Sequence, residues 1–174
     1  MKMSSQSFGW MAACAVIISA CATQPASLEA KSSVKLETEL VNADQISIRA
    51  IKDNRPKNAE LSDMYGRPMS GTNFMEWFEN SLQANGLYLN GDAAAEDAAC
   101  QIDLEIRRAE VKSKNTSKSA TVVIGARDIR SDDYALYRGV NTGMNWAGGQ
   151  GETNNALSRA LHEALLKLDE ACKA

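Results

Sequence analysis

Apolar and polar residues alternate along several short stretches of the chain, and this two-residue period predicts β-strands with one buried face. In the stretch 46–51, Ile46, Ile48 and Ala50 are expected to share the buried face. Residues 34–40 alternate in the same way and form a further, shorter candidate strand. The longer predicted strands are 100–111, 120–127 and 134–142.

Short polar connections join the last three predicted strands. Residues 112–119 are interpreted as a polar hairpin turn and residues 128–133 as a second turn, so these strands should form an antiparallel meander. The alternation slips at Arg107 and Arg108, where the apolar positions change from even to odd numbers. A regular strand cannot turn its apolar face over, so the slip predicts a bulge or bend there.

Two stretches have the spacing of amphipathic helices. The first begins near Asn73, a good N-cap residue, and ends at Gly86, which suits a left-handed C-cap. The second begins at Thr153 or Asn154. The face predicted for the first helix, with its aromatic half in the core, comprises Phe74, Trp77, Phe78, Ser81, Leu82 and Asn85. The stripe predicted for the second comprises Leu157, Leu161, Leu165, Leu168 and Cys172, flanked by Ala156, Ala160 and Ala164.

These elements predict an α+β fold in the order β-α-β-β-β-α. A small antiparallel or mixed sheet of four to five strands would carry two helices on one face. The predicted domain comprises residues 34–174, a length typical of a single domain.

The N-terminal residues predict a lipoprotein signal peptide over 1–20. The uncharged run 10–20 is shorter than the roughly 20 residues that cross a hydrocarbon core of about 30 Å, but it fits a secretory signal. The segment Ile18-Ser19-Ala20-Cys21 resembles the bacterial lipobox, which implies that Cys21 takes a diacylglycerol and becomes the first mature residue. The alternative is an ordinary cleavage site followed by chance by a cysteine. Cys14 is a poorer candidate because it lies inside the apolar run.

Residues 21–33 are small and polar and predict a flexible, lipid-anchored tether. Ala22 follows the anchor residue. In enteric-type lipoproteins an aspartate at that position favours inner-membrane retention, so Ala22 implies transfer to the outer membrane. The domain would then face the periplasm of a Gram-negative bacterium, with the N-terminal lipid as its contact with the membrane.

Two cysteines remain after lipidation of Cys21. Cys100 opens a predicted strand and Cys172 closes the last helix. In an oxidising periplasm they would form a disulfide where geometry allows, and otherwise they would be two separate buried thiols.

Charge argues against nucleic acid as a partner. The chain has a net charge of −3, and removing residues 1–20 takes away one lysine and no acid, which brings the net charge to −4. Sequence-independent nucleic-acid binding needs clustered basic residues instead.

The chain shows no catalytic constellation, and we predict no enzyme activity, metal or cofactor. His162, the single histidine, lies beside an apolar stripe without a pattern of cysteines or carboxylates that would suggest a metal site. Nothing selects a pair of carboxylates for glycoside hydrolysis among the acids in predicted turns, which are Asp53, Asp63, Asp128, Asp132 and Asp133. The glycine-rich stretch 143–152 carries Met144 and Trp146, the best candidates for contact with a partner or membrane.

The order of several motifs resembles the YajG-type uncharacterised bacterial lipoproteins. The matching features are the lipobox at Cys21, Lys52-Asp53-Asn54-Arg55, Asn85-Gly86-Leu87, the strands 102–111 and 120–126, Tyr137-Arg138 and Asn155-Ala156-Leu157. The resemblance implies an outer-membrane location and a domain like those of transport-associated auxiliary lipoproteins, with no enzyme activity. The chain departs from that pattern in residues 148–151 and in its two later cysteines.

The sequence therefore predicts a non-enzymatic lipoprotein with a binding or assembly role, docking on an envelope protein complex. The alternative is an auxiliary subunit of an envelope lipid or substrate transport system.

Overall fold

The computed structural model describes residues 39–56, 74–90, 98–113, 117–144 and 150–173. Within them the chain forms a four-stranded mixed sheet and two α-helices in the predicted order, which confirms the α+β class. The strands are β1 (Ile46–Asp53), β2 (Cys100–Ser113), β3 (Ser117–Asp128) and β4 (Tyr134–Met144), and the helices are α1 (Phe74–Ala84) and α2 (Gln150–Ala171). A short 3-10 helix, Ala43–Gln45, precedes β1.

The strand order in the sheet follows the chain order. β1 pairs with β2 in parallel, and the other two pairings are antiparallel, which confirms the meander of the last three strands. The register of β2 against β3 shifts between Ile106 and Arg108, as the slip in alternation predicted. The bulge lets Ala109 and Val111 reach the same buried core as Ile106.

The predicted buried face of β1 is wrong at one position. The pairing of β1 with β2 shifts between Ile48 and Ala50, so a bulge at Arg49 reverses the phase of the strand. Ala50 is consequently exposed, and Ile51, which lies opposite the buried Leu104, packs against the core. A single irregular residue breaks a two-residue pattern that is only six residues long.

The predicted hairpin turn 112–119 is too long. β2 continues to Ser113 and β3 begins at Ser117, because strand pairing extends beyond the apolar residues that reveal it in the sequence. Lys118 is consequently a strand residue, paired with Ser113 and Gly143. The predicted strand 34–40 lies mostly outside the described residues, and positions 39 and 40 are not in a strand.

Helix α1 ends as its sequence predicts. Gly86 adopts a positive φ of 78°, and the Leu87 amide donates to the Leu82 carbonyl at 3.0 Å across the cap. The predicted N-cap Asn73 lies outside the described residues. Five of the six residues on the predicted face of α1 are buried, and Asn85, just beyond the helix, is half-buried.

Helix α2 starts earlier than predicted, at Gln150, so Thr153 and Asn154 lie inside its first turns and are not its cap. Its predicted stripe of leucines and alanines is buried, together with Cys172 just beyond the helix. His162 Nδ1 lies 2.7 Å from Asn85 Oδ1 at the end of α1. The two helices are therefore neighbours on one face of the sheet, as expected.

Gly139 fixes how closely α2 lies on the sheet. A Cβ atom at this position would lie 1.8 Å from the Ala160 carbonyl oxygen and 2.7 Å from the Ala164 nitrogen. The helix backbone therefore rests directly on β4, which only a glycine and two small helix residues permit.

Candidate functional site

A pocket of about 250 Å³ lies between the end of β4, the start of β3 and the first turns of α2. The residues of α2 that line the pocket recur every three or four positions, so one face of the helix borders it. The described lining residues are Lys118, Asn141, Thr142, Gly143, Met144, Glu152, Asn155, Ala156 and Arg159. Met144, singled out from the sequence, lies here and is 70% exposed, whereas Trp146 lies outside the described residues.

Lys118 is the unexpected member of this pocket, since its side chain is only 4% exposed. Lysine is seldom so deeply buried unless it is paired. Its ammonium donates to Thr153 Oγ1 at 3.0 Å and lies 3.8 Å from Glu152 Oε2. The buried cation therefore ties the first turns of α2 to the start of β3.

Farther along α2, two side chains close the free edge of β4. Glu163 Oε2 accepts a hydrogen bond from the Val140 amide at 2.9 Å, and Lys167 Nζ donates to the Arg138 carbonyl at 2.6 Å. The two side chains also pair with each other at 2.9 Å. We name Glu163 and Lys167 the edge clamp, because they occupy backbone groups that would otherwise accept another strand.

The pKa of Glu163 is held below its ordinary value of 4.5. Partial burial alone would raise the pKa, but the hydrogen bonds from Lys167 and from the Val140 amide favour the charged carboxylate and outweigh it. The Glu163 carboxylate is consequently ionised at neutral pH.

The other face of the sheet, away from the helices, has two distinct parts. Along β4 it exposes Tyr134, Leu136, Val140 and Met144, which we name the apolar row; Arg138 and Thr142 lie between its members. Met144, at the end of the strand, also borders the pocket. Beside the row, the Tyr134 hydroxyl lies 3.3 Å from Glu105 Oε2, to which it donates across the surface of Gly125. Side chains of Asn54, Arg107 and Tyr134 together hold the pKa of Glu105 below its ordinary value.

The Cys100 and Cys172 sulfurs are joined in a disulfide, with their Cα atoms 5.6 Å apart. Of the two arrangements that the sequence left open, the structure contains the bridge. It connects the start of β2 to the end of α2. Cys21, the predicted lipidation residue, lies outside the described residues.

Three of the acids considered for hydrolysis have structural partners, and Asp63 lies outside the described residues. Asp53 accepts from Arg55 Nη2 at 2.7 Å, Asp128 accepts from the Arg130 amide, and Asp132 pairs with Arg127. Within the described ranges, no group of three or more histidine, cysteine or acidic side chains could hold a metal ion.

No helix in the described part of the chain combines the length and apolar character needed to cross a membrane. The chain matches no protein-family model and no curated protein.

Two solved structures are similar in part. One is a crystal structure of an uncharacterized protein, with a TM-score of 0.48 and 8% identity over 74% of this chain and 93% of the other. The second is the hypothetical protein CT253 from Chlamydia trachomatis, with a TM-score of 0.40 and 12% identity over 73% of this chain and 96% of the other. Function therefore has to be argued from the site itself.

Proposed function

We propose that this protein is a periplasmic lipoprotein, anchored in the outer membrane through Cys21, with a non-enzymatic binding or assembly role. The proposed periplasmic location is supported mainly by the disulfide between Cys100 and Cys172. Disulfides persist in oxidising compartments such as the periplasm and are rare in the reducing cytosol. Together with the lipobox-like Ile18-Ser19-Ala20-Cys21, this supports export followed by anchoring.

The binding role is supported by the apolar row on the open face of the sheet. Leu136 and Met144 are 59% and 70% exposed. Large apolar side chains left exposed along one face of a strand are candidates for a contact site. Because the edge clamp closes the middle of β4, a partner of this row would dock mainly on the face and not by adding a strand.

The anchor is tested by metabolic labelling of cells with an alkyne analogue of palmitate. The variant Cys21→Ser should lose the label and the processed mass, while Cys14→Ser, the matched control, should keep both. Label retained by Cys21→Ser would contradict the anchor.

The docking face is tested by placing a photo-crosslinking amino acid at Leu136 in the full chain. Ultraviolet light should join the protein to an envelope protein. The same amino acid at Glu170, an exposed position of α2, is the control. Equal crosslinking at both positions, or none at Leu136, would count against a partner on this face.

The second candidate function is an auxiliary subunit of an envelope transport system. The pocket beside Met144 favours it, because such a subunit needs a place for a substrate or for part of a partner. In that case the protein captured at Leu136 would be a component of a transporter.

A further inference from the structure

The charges of the described lining residues bear on what the pocket binds. Two of these residues are cations, Lys118 and Arg159, and one is an acid, Glu152. Lys118 and Glu152 face each other at 3.8 Å, and Glu152 Oε2 is buried. These two charges largely neutralise each other, so the remaining positive charge is that of Arg159.

Arg159 is exposed at the rim of the pocket. The acid one turn later on α2, Glu163, is already engaged by Lys167 Nζ at 2.9 Å and by the Val140 amide. The guanidinium of Arg159 is therefore the cation placed to meet a ligand. Its planar donors match the two oxygens of a carboxylate.

The other lining groups suit the remainder of such a ligand. Asn141 and Asn155 contribute side-chain amides, and Met144 and Ala156 contribute apolar surface. The volume of about 250 Å³ is slightly below the range of about 300–1,000 Å³ for pockets that hold drug-sized ligands. The pocket thus fits the end of a molecule or a short acid.

In the part of the chain that the structure describes, no strand pairs with the outer edge of β4 at this end. Glu163 of the edge clamp accepts from the backbone amide of Val140. Along a strand, the amide and carbonyl groups that point to one edge recur at every second residue, so the next ones are those of Thr142. Thr142 also lines the pocket. An extended peptide could pair with this short stretch and bring its last carboxylate toward Arg159.

We infer that the pocket binds a monocarboxylate, either a short free acid or the C-terminal carboxylate of an extended peptide. A single negative charge balances the one surplus positive charge of the described lining, whereas a phosphate dianion would exceed it. The methylenes or side chain next to the carboxylate would contact Met144. This inference rests on the proposed binding role but not on the lipid anchor.

The test uses the full chain, purified in detergent, with methionine methyl groups labelled with ¹³C. The Met144 signal is assigned with Met144→Leu and followed while sodium hexanoate is added. It should shift and saturate, and neutral hexanamide should leave it in place. Tetra-alanine with a free or an amidated C-terminus forms the peptide arm, and binding of either carboxylate identifies which source the pocket accepts.

Arg159→Ala should weaken carboxylate binding at least tenfold, and Arg159→Lys should weaken it less because the charge remains. Arg138→Ala, an exposed arginine of β4 that does not line the pocket, is the matched control and should bind as the wild type. The inference is overturned if no carboxylate shifts Met144, if hexanamide binds equally well, or if Arg159→Ala binds unchanged. Since palmitate labelling reads the anchor separately, failure of one proposal can be distinguished from failure of the other.

Discussion

At the residue scale, two positions determine how α2 meets the sheet. Gly139 permits backbone contact with Ala160, and Lys118 donates a hydrogen bond to Thr153 in the first turns of the helix. The even-numbered phase of the predicted strand 120–127, extended backwards, puts Lys118 on the buried face. The alternation therefore already indicated that Lys118 is buried, but the polar residues around it favoured the prediction of a turn.

Gly139→Ala should destabilise the protein. The new Cβ would lie 1.8 Å from a backbone oxygen of α2, so the whole helix must shift, and overpacking of this kind costs about 1–3 kcal/mol. Urea unfolding measures the loss. Gly143→Ala, where a Cβ meets nothing within 4 Å, should stay close to wild type, and an equal loss in both variants would contradict the close approach.

Lys118→Met should also destabilise the protein, because it leaves the partly buried carboxylate of Glu152 without its cation. We expect a loss of about 1–3 kcal/mol, less than for a fully buried pair because Glu152 is one third exposed. The double variant Lys118→Met/Glu152→Gln should recover part of it in a double-mutant cycle. Strict additivity of the two single changes would show that the pair is not coupled.

At the element scale, β4 is the edge strand of the described sheet. Its face away from the helices is exposed, and its C-terminal end borders the pocket. The alternation of apolar and polar residues correctly predicts which face of β2 and β3 is buried. In β4 it does not, because apolar residues such as Leu136 and Val140 lie on the exposed face. The pocket could not be predicted either. It arises where residues from β3, β4 and α2 meet, and no local pattern encodes that meeting.

Removing the edge clamp should promote self-association. In Glu163→Ala/Lys167→Ala the Val140 amide and the Arg138 carbonyl lose their partners, which frees the edge for another strand. Light scattering after size exclusion should show larger species as concentration rises. Glu170→Ala/Lys173→Ala removes a comparable exposed pair at the end of α2 and just beyond it and should behave as the wild type. Identical masses for both double variants would contradict the role of the clamp.

The clamp also predicts a pH dependence. Since the pKa of Glu163 is lower in the folded state, the unfolded chain binds more protons near its ordinary value of 4.5. The stabilisation is complete above that pH and is lost as pH falls through the lower folded pKa. Urea midpoints measured from pH 6 to pH 3 should fall, and Glu163→Gln should show a shallower fall. If the urea midpoint of that variant fell with pH as steeply as in the wild type, Glu163 would not contribute to the pH dependence.

At the scale of the whole molecule, the C-terminal end of α2 is held in two ways. Cys172 is bonded to Cys100, and the buried Asp169 carboxylate accepts from the amides of Val41 and Asn42 at 3.2 and 2.8 Å. The sequence offered the cysteine pair but not its state, because pairing depends on a distance between residues 72 positions apart. Nothing in the sequence indicated the role of Asp169, since its partners, the backbone amides of Val41 and Asn42 and the Asn42 side chain, are distant in the chain.

Reduction of the disulfide should lower the free energy of unfolding by about 4 kcal/mol, as the chain-entropy model gives for a loop of this length. Urea unfolding with and without dithiothreitol measures the difference. Cys100→Ser/Cys172→Ser should match the reduced wild type and no longer respond to the reductant. A response that persists in this variant would have another origin.

The arrangement of α2 gives the molecule a near and a far end. The first described residues meet the helix at Asp169, while the pocket lies beside its first turns. A helix of 22 residues is about 33 Å long at about 1.5 Å per residue. With the proposed anchor, the lipid would be attached on the side of the Asp169 end, and the pocket would lie at the opposite end of the helix from that attachment.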